Sequence, residues 1–206
     1  MFITFEGLDF CGKSTQVELL EKYFIDKKKK VIVLREPGGT PISEKIREIL
    51  LDKKNSEMAD ETELLLFSAS RSQLVNQTII KSVESDYIVI SDRFHDSSIA
   101  YQGFGRGIDL DFVTKLQNFA IGKAIPDLTF FIDIPVEEVV KRMSKVQKIE
   151  LDRIENSKLD FYHRVRDGYI LLAENNKRFR IIDGMLSKED VNKIIITEVE
   201  RFGKVI

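Results

Sequence analysis

The chain has 206 residues, 43% of them hydrophobic and 32% charged, with a net charge of −2. That suits one domain with a full core rather than two small ones, and the near-neutral total argues against general nucleic-acid binding. The single cysteine excludes an internal disulfide and fits a reducing compartment.

Met1-Phe-Ile-Thr-Phe5 is apolar and rich in strand formers and reads as a strand. It offers no charged n-region followed by an apolar h-region, and no stretch approaches the roughly 20 apolar residues of a membrane span, so a cytoplasmic protein without membrane or nucleic-acid partners is expected. Gly7, Leu8, Asp9, Phe10, Cys11, Gly12, Lys13, Ser14 and Thr15 follow, matching G-x-x-x-x-G-K-[ST]. Val17, Leu20 and Phe24 then recur at helical spacing. Strand, glycine-bounded loop and helix in that order make a phosphate-binding loop. Glycines let backbone N–H groups approach phosphate oxygens, Lys13 supplies a point charge, and the Ser14 hydroxyl suits Mg²⁺ carried by a nucleoside triphosphate. Cys11 is not read as catalytic, since no partner histidine is evident.

Lys27 to Lys30 reads as a solvated helix end, and Val31 to Leu34 as a buried strand broken by Arg35-Glu-Pro-Gly-Gly-Thr40. Ile42 to Leu51 is helical, Asp52 to Asp60 a polar loop, and Glu61 to Val83 a long helical pattern. Phe67 and Arg71 share a face there, one turn apart. A ring and a donor fork so placed could bracket a nucleobase, or could be a core Phe beside a surface Arg. Tyr87 to Asp92 is a strand ending in an acid, where Asp92 suits Mg²⁺ or, alternatively, a turn. Arg93 beside it suits an acceptor phosphate. His95 lies close by, but two isolated histidines carry no metal-ligand spacing.

Ser97 to Gly107 is polar and glycine-rich, Asp111 to Ile121 helical, Thr129 to Ile134 a strand closed by Pro135, and Val136 to Ser144 helical. Lys145 to Ser157 is dense in charge and expected to be mobile. Leu159 to Asn175 is helical, Arg180 to Asp183 the last strand, and Lys188 to Phe202 the last helix. Alternating strands and helices imply an α/β fold, a parallel sheet between helix layers in the P-loop NTPase manner, as one domain.

Taken in order, GLDFCGKST, REPGGT, Phe67-x-x-x-Arg71, Asp92-Arg93-Phe94, Ser97-Ser-Ile-Ala-Tyr-Gln-Gly103, Pro126-Asp-Leu-Thr129 and Glu150-Leu-Asp-Arg-Ile-Glu155 resemble the thymidylate kinase family over essentially the whole chain. The phosphate loop is widespread; the REPGGT and AYQG runs are far more specific. The resemblance implies transfer of the γ-phosphoryl of ATP to dTMP, with Mg²⁺, in a homodimer. It implies that the loop holds ATP and that Asp9 approaches the acceptor's 3′-hydroxyl. Phe67 would stack on thymine and Arg71 donate to its O4, with Ser98, Tyr101 and Gln102 closing the pocket. Tyr101 would exclude a 2′-hydroxyl, Arg93 and Arg47 would hold the acceptor phosphate, and Pro37 would shape the REPGG turn.

Some family members carry an arginine inside the phosphate loop. Here Asp9-Phe10-Cys11 stands in its place, so the catalytic arginine is expected from a lid near residues 142–157. Arg153 is the first choice and Arg142 the second, with Lys145 and Lys148 adding charge. Adenine contacts are expected near the lid and after Ile181 to Gly184. Two rival readings stay open. One is a kinase for dUMP, a deoxynucleoside or another small acceptor. The other is a nucleotide switch, although Asn176-Lys-Arg-Phe179 lacks the acid of a guanine-selective motif.

Overall fold

A computed structural model describes residues 1–145, 152–154 and 158–203. Expectations resting on Lys148, Glu150, Leu151 and Glu155 lie outside the described residues. Five strands form one parallel sheet: β1 (Phe2–Glu6), β2 (Val31–Arg35), β3 (Ile88–Asp92), β4 (Leu128–Asp133) and β5 (Phe179–Asp183), in the order β2-β3-β1-β4-β5. Phe5 pairs with Asp92 on one side and Phe130 on the other. The connection from β1 runs past β3 to β2 and the one from β3 runs past β1 to β4, so these neighbouring strands are left toward opposite edges of the sheet. That divergence opens the crevice in which open α/β sheets bind ligands.

Side-chain alternation along the strands divides the core. Phe2 and Val89 point to the face covered by α3 (Asp60–Leu74), joining Leu74, Val75, Ile79 and Ile121. Ile3, Phe5, Ile90 and Phe130 point to the other, with Leu20 of α1 (Lys13–Asp26), Tyr169 of α8 (Leu159–Asn175) and Ile195 of α9 (Lys188–Gly203). Helix α2 (Pro41–Leu51) starts with Thr40 accepting from the Ser43 amide at 3.1 Å and with proline at its first position.

Two stretches differ from the sequence reading. The long 61–83 pattern is α3, then a π-helical turn at Val75–Ile79, then α4 (Ile80–Glu84). The polar 97–107 stretch is helical as well: α5 (His95–Ser98) runs into a π-helical turn over Ile99–Gly105, before α6 (Leu110–Ile121). Its glycines serve packing. A Cβ on Gly105 would lie 2.6 Å from Phe161 and 2.8 Å from Val165 on α8. Helix α7 is Val136–Lys145. Among the described residues no helix is long and apolar enough to cross a membrane.

Candidate active site

The loop after β1 bends as its glycines allow. Gly7 and Gly12 have φ of 139° and 102°, and a Cβ on Gly7 would lie 2.5 Å from the Ile132 carbonyl oxygen. Lys13 folds back across the loop, donating to the Gly7 and Leu8 carbonyls at 3.1 and 2.7 Å. It is thus held on the loop until stronger acceptors displace those carbonyls. Ser14 Oγ donates to Asp92 Oδ2 at 2.7 Å, so the hydroxyl and the acid at the end of β3 converge.

Arg93 follows Asp92 with a left-handed φ of 69°, which aims its side chain back over the loop at a cost of about 1–2 kcal/mol. Its guanidinium donates to Asp9 at 2.5 Å, Tyr101 Oη at 3.0 Å and the Gly7 carbonyl at 3.0 Å. Tyr101 in turn donates to Asp9 at 3.1 Å. Burial would raise the Asp9 carboxyl, but Arg93 and Lys13 outweigh it and hold the group below its ordinary value.

Behind this cluster stands Glu6, the last residue of β1 and fully buried. It accepts from the Phe94 amide at 2.8 Å, Ser97 Oγ at 2.6 Å and Tyr169 Oη at 2.8 Å. Burial first, then the charge of Asp96, pushes its carboxyl up to about 7. Sequence reasoning missed Glu6; its one signal is an acid closing an apolar strand.

Phe67 and Arg71 occupy the far end. Arg71 is 1% exposed and fully engaged: with Glu36 at 2.6 Å, Ser98 Oγ at 2.8 Å, Gln117 Oε1 at 2.5 Å and the Phe94 carbonyl at 3.1 Å. Glu36 is buried, its Oε1 has no hydrogen-bond partner among the described residues, and burial keeps its carboxyl above the ordinary value against the pull of Arg71. Glu36 lies in the REPGGT run but was not singled out. The Glu36–Pro37 peptide bond is cis, and Arg47 donates to the Pro37 carbonyl at 2.9 Å.

One cavity of about 540 Å³ joins these parts. Asp9, Phe10, Gly12, Lys13, Ser14, Thr15, Asp92 and Arg93 line its loop end; Pro37, Arg47, Phe67, Arg71, Ser98, Tyr101 and Gln102 line the other. Gly7, Leu8 and Cys11 shape the loop from behind. The two lid arginines separate. Arg142 lines the cavity and donates to the Phe10 carbonyl at 3.2 Å and the Gly184 carbonyl at 3.0 Å. Arg153 does not line it; it pairs with buried Glu63 at 2.6 Å and donates to the Leu50 carbonyl at 3.0 Å. The arrangement suits two anionic ligands end to end, a polyphosphate on the loop and a phosphate ester bearing a flat ring toward Phe67.

Comparison with known proteins places the chain among well-described relatives. A family model described as thymidylate kinase matches residues 5–195. A thymidylate kinase of Chlorobaculum tepidum is 46% identical over 208 residues, covering 97% of each chain. One from Thermosipho melanesiensis is 53% identical over 89% of each. The crystal structure of a thymidylate kinase from Ehrlichia chaffeensis matches with a TM-score of 0.78 at 36% identity, over 97% of this chain and 98% of that one.

Proposed function

The chain belongs to the thymidylate kinase family, and we propose that it transfers the γ-phosphoryl group of ATP directly to the phosphate of dTMP, giving dTDP and ADP. One observation carries this reading: a single cavity has a phosphate loop with Arg93 bound to it at one end and Phe67 and Arg71 at the other. The acceptor phosphate is already anionic, so transfer needs no strong general base and no covalent enzyme intermediate. What the chain must supply is alignment and charge neutralisation.

Loop amides from Gly7 to Thr15 cradle the ATP phosphates, and Lys13 exchanges its two carbonyl partners for phosphate oxygens. Arg93, with Arg47, holds the dTMP phosphate. Asp9 orients Arg93 and faces the 3′-hydroxyl, and Tyr101 closes the sugar side against a 2′-hydroxyl. Phe67 stacks on the base. Arg71 gives a donor to O4, which thymine accepts and the amino group of cytosine cannot. Ser98 and Gln102 complete the base pocket, and Pro37 shapes the turn that carries Arg47.

Mg²⁺ fits the residues present, because Ser14 Oγ and an Asp92 oxygen converge at 2.7 Å and form an oxygen-only donor set. When bound, it would neutralise charge shared between the β- and γ-phosphates. For the lid cation, the sequence favours Arg153, but its ion pair with Glu63 points away from the phosphates; contact with Phe10 and Gly184 supports Arg142 on the donor side.

A homodimer is supported by Phe112 and Phe119. They lie two turns apart on one face of α6 and are 52% and 84% exposed, more than a lone folded domain gains from. One buried free cysteine supports a cytoplasmic, reducing location.

ADP production with ATP and Mg²⁺ against dTMP, dUMP, dCMP and dGMP tests the reading. Strong turnover with dTMP alone is expected. Preference for dUMP or a deoxynucleoside would move the acceptor assignment, and no turnover in folded, ATP-binding protein would favour a switch.

A further inference from the structure

Glu63 lies in the first turn of α3, 0% exposed, and touches none of the groups assigned to the reaction's phosphates. Its carboxylate is nonetheless saturated. Oε1 accepts from Gln102 Nε2 at 2.8 Å and Arg106 Nε at 3.2 Å; Oε2 accepts from Arg106 at 3.0 Å and pairs with Arg153 at 2.6 Å. Burial would raise this carboxyl, but Arg106, Gln102 and Arg153 outweigh it and keep it ionised. Three separate stretches therefore meet on one anion: α3, the π-helical turn bearing Gln102, and residues 152–154.

The third stretch covers the acceptor end of the cavity. Asp152 and Ile154 line it beside Leu51 and Phe67. Ile154 is 7% exposed and joins the main core cluster, and its amide donates to Asp152 Oδ1 at 2.8 Å. Arg153, between them, points the other way, to Glu63 and the last turn of α2. Its ion pair thus anchors from behind the two residues that face the pocket. Gln102 faces the same pocket and shares the same carboxylate.

We propose that Glu63 is a positioning residue that latches residues 152–154 over the acceptor pocket through Arg153 and ties that closure to the orientation of Gln102. The inference rests on the acceptor site proposed above. It gives Arg153 a role in acceptor retention instead of phosphate neutralisation. A buried carboxylate shared by two guanidinium groups suits a latch: without its charge Arg106 keeps Asp60 at 3.3 Å, whereas Arg153 loses the ion pair that holds it, which favours opening.

Steady-state kinetics of Glu63→Gln, Arg153→Ala and the double variant test this. The KM for dTMP should rise about 10-fold in each single variant, with the KM for ATP unchanged and kcat lowered less than about threefold. The double variant should be no worse than the single ones, and Arg153→Lys should recover part of the loss. A loss of folded protein would lower apparent kcat without this split. Unchanged KM for dTMP, additive losses, or a kcat loss of about 100-fold in Arg153→Ala with KM unchanged would each overturn the latch. If wild type turned over no nucleotide, the acceptor reading would fall and the latch would be decided by trypsin. Faster cleavage after Arg153 in Glu63→Gln than in wild type, located by mass spectrometry, would support it, and equal rates would contradict it.

Discussion

Arg71 has committed its donors before any ligand arrives: Glu36, Ser98, Gln117 and the Phe94 carbonyl take them all. A guanidinium has five N–H groups, so donation to a base carbonyl requires an exchange, and the neutral partners Ser98 and Gln117 are the cheaper ones to release. Arg71→Lys keeps the charge and loses the fork. The KM for dTMP should rise about 10²-fold, and unfolding in urea should show a loss of about 1–3 kcal/mol as buried Ser98, Gln117 and the Phe94 carbonyl lose their donors. Glu6 gives a second residue-scale outcome. Its carboxyl sits near 7 when folded against an ordinary 4.5. Between those values the folded chain binds the extra proton, so stability falls as pH rises from about 4.5 to about 7. Glu6→Gln should flatten that slope in denaturation midpoints measured from pH 5 to 7; an unchanged slope would contradict the assignment. Lys13 and Ser14 were legible in the sequence because the loop motif's spacing places them, and Asp92 because it closes an apolar strand. Glu6, Glu36 and Glu63 were not: each is an ordinary charge in the sequence, and only tertiary contact shows that it is buried and saturated.

At the scale of elements, the strands were the most legible part, since apolar runs of β-branched and aromatic residues between breakers leave little choice. Every strand lies within a residue or two of its sequence reading. The Ile99–Gly105 turn was not legible as helix, because Gly103 and Gly105 resemble loop glycines until Leu110 of α6 packs against the first and α8 against the second. Gly105→Ala separates the two readings. A Cβ there meets Phe161 and Val165 at under 3.0 Å, so the variant should lose about 1–3 kcal/mol and raise the KM for dTMP as Tyr101 is displaced. A midpoint equal to wild type would mean that the turn is as free as its composition suggests. The sequence reading began the second helix at Ile42; the structure starts α2 one residue earlier, with Thr40 as its cap and Pro41 at its first position.

For the whole molecule, the sequence reached the layered parallel sheet but not the order β2-β3-β1-β4-β5, which depends on which strands pair across long separations. That order matters for function because it brings Asp92 beside the loop that follows Phe5 and makes one crevice serve both ligands. It also leaves α6 with Phe112 and Phe119 outward. Phe119→Glu should shift the mass by light scattering from dimer to monomer, and a wild type that is monomeric at micromolar concentration would remove the dimer proposal. The central claim is direct phosphoryl transfer to dTMP across this cavity. Its most direct measurement follows the label from γ-labelled ATP with Mg²⁺ and dTMP, in wild type and Arg93→Ala. Label should pass into dTDP with none bound to protein, and Arg93→Ala should slow transfer about 10²-fold or more while still binding ATP. Label released as free phosphate, retained on the protein, or transferred at the wild-type rate without Arg93 would contradict the account.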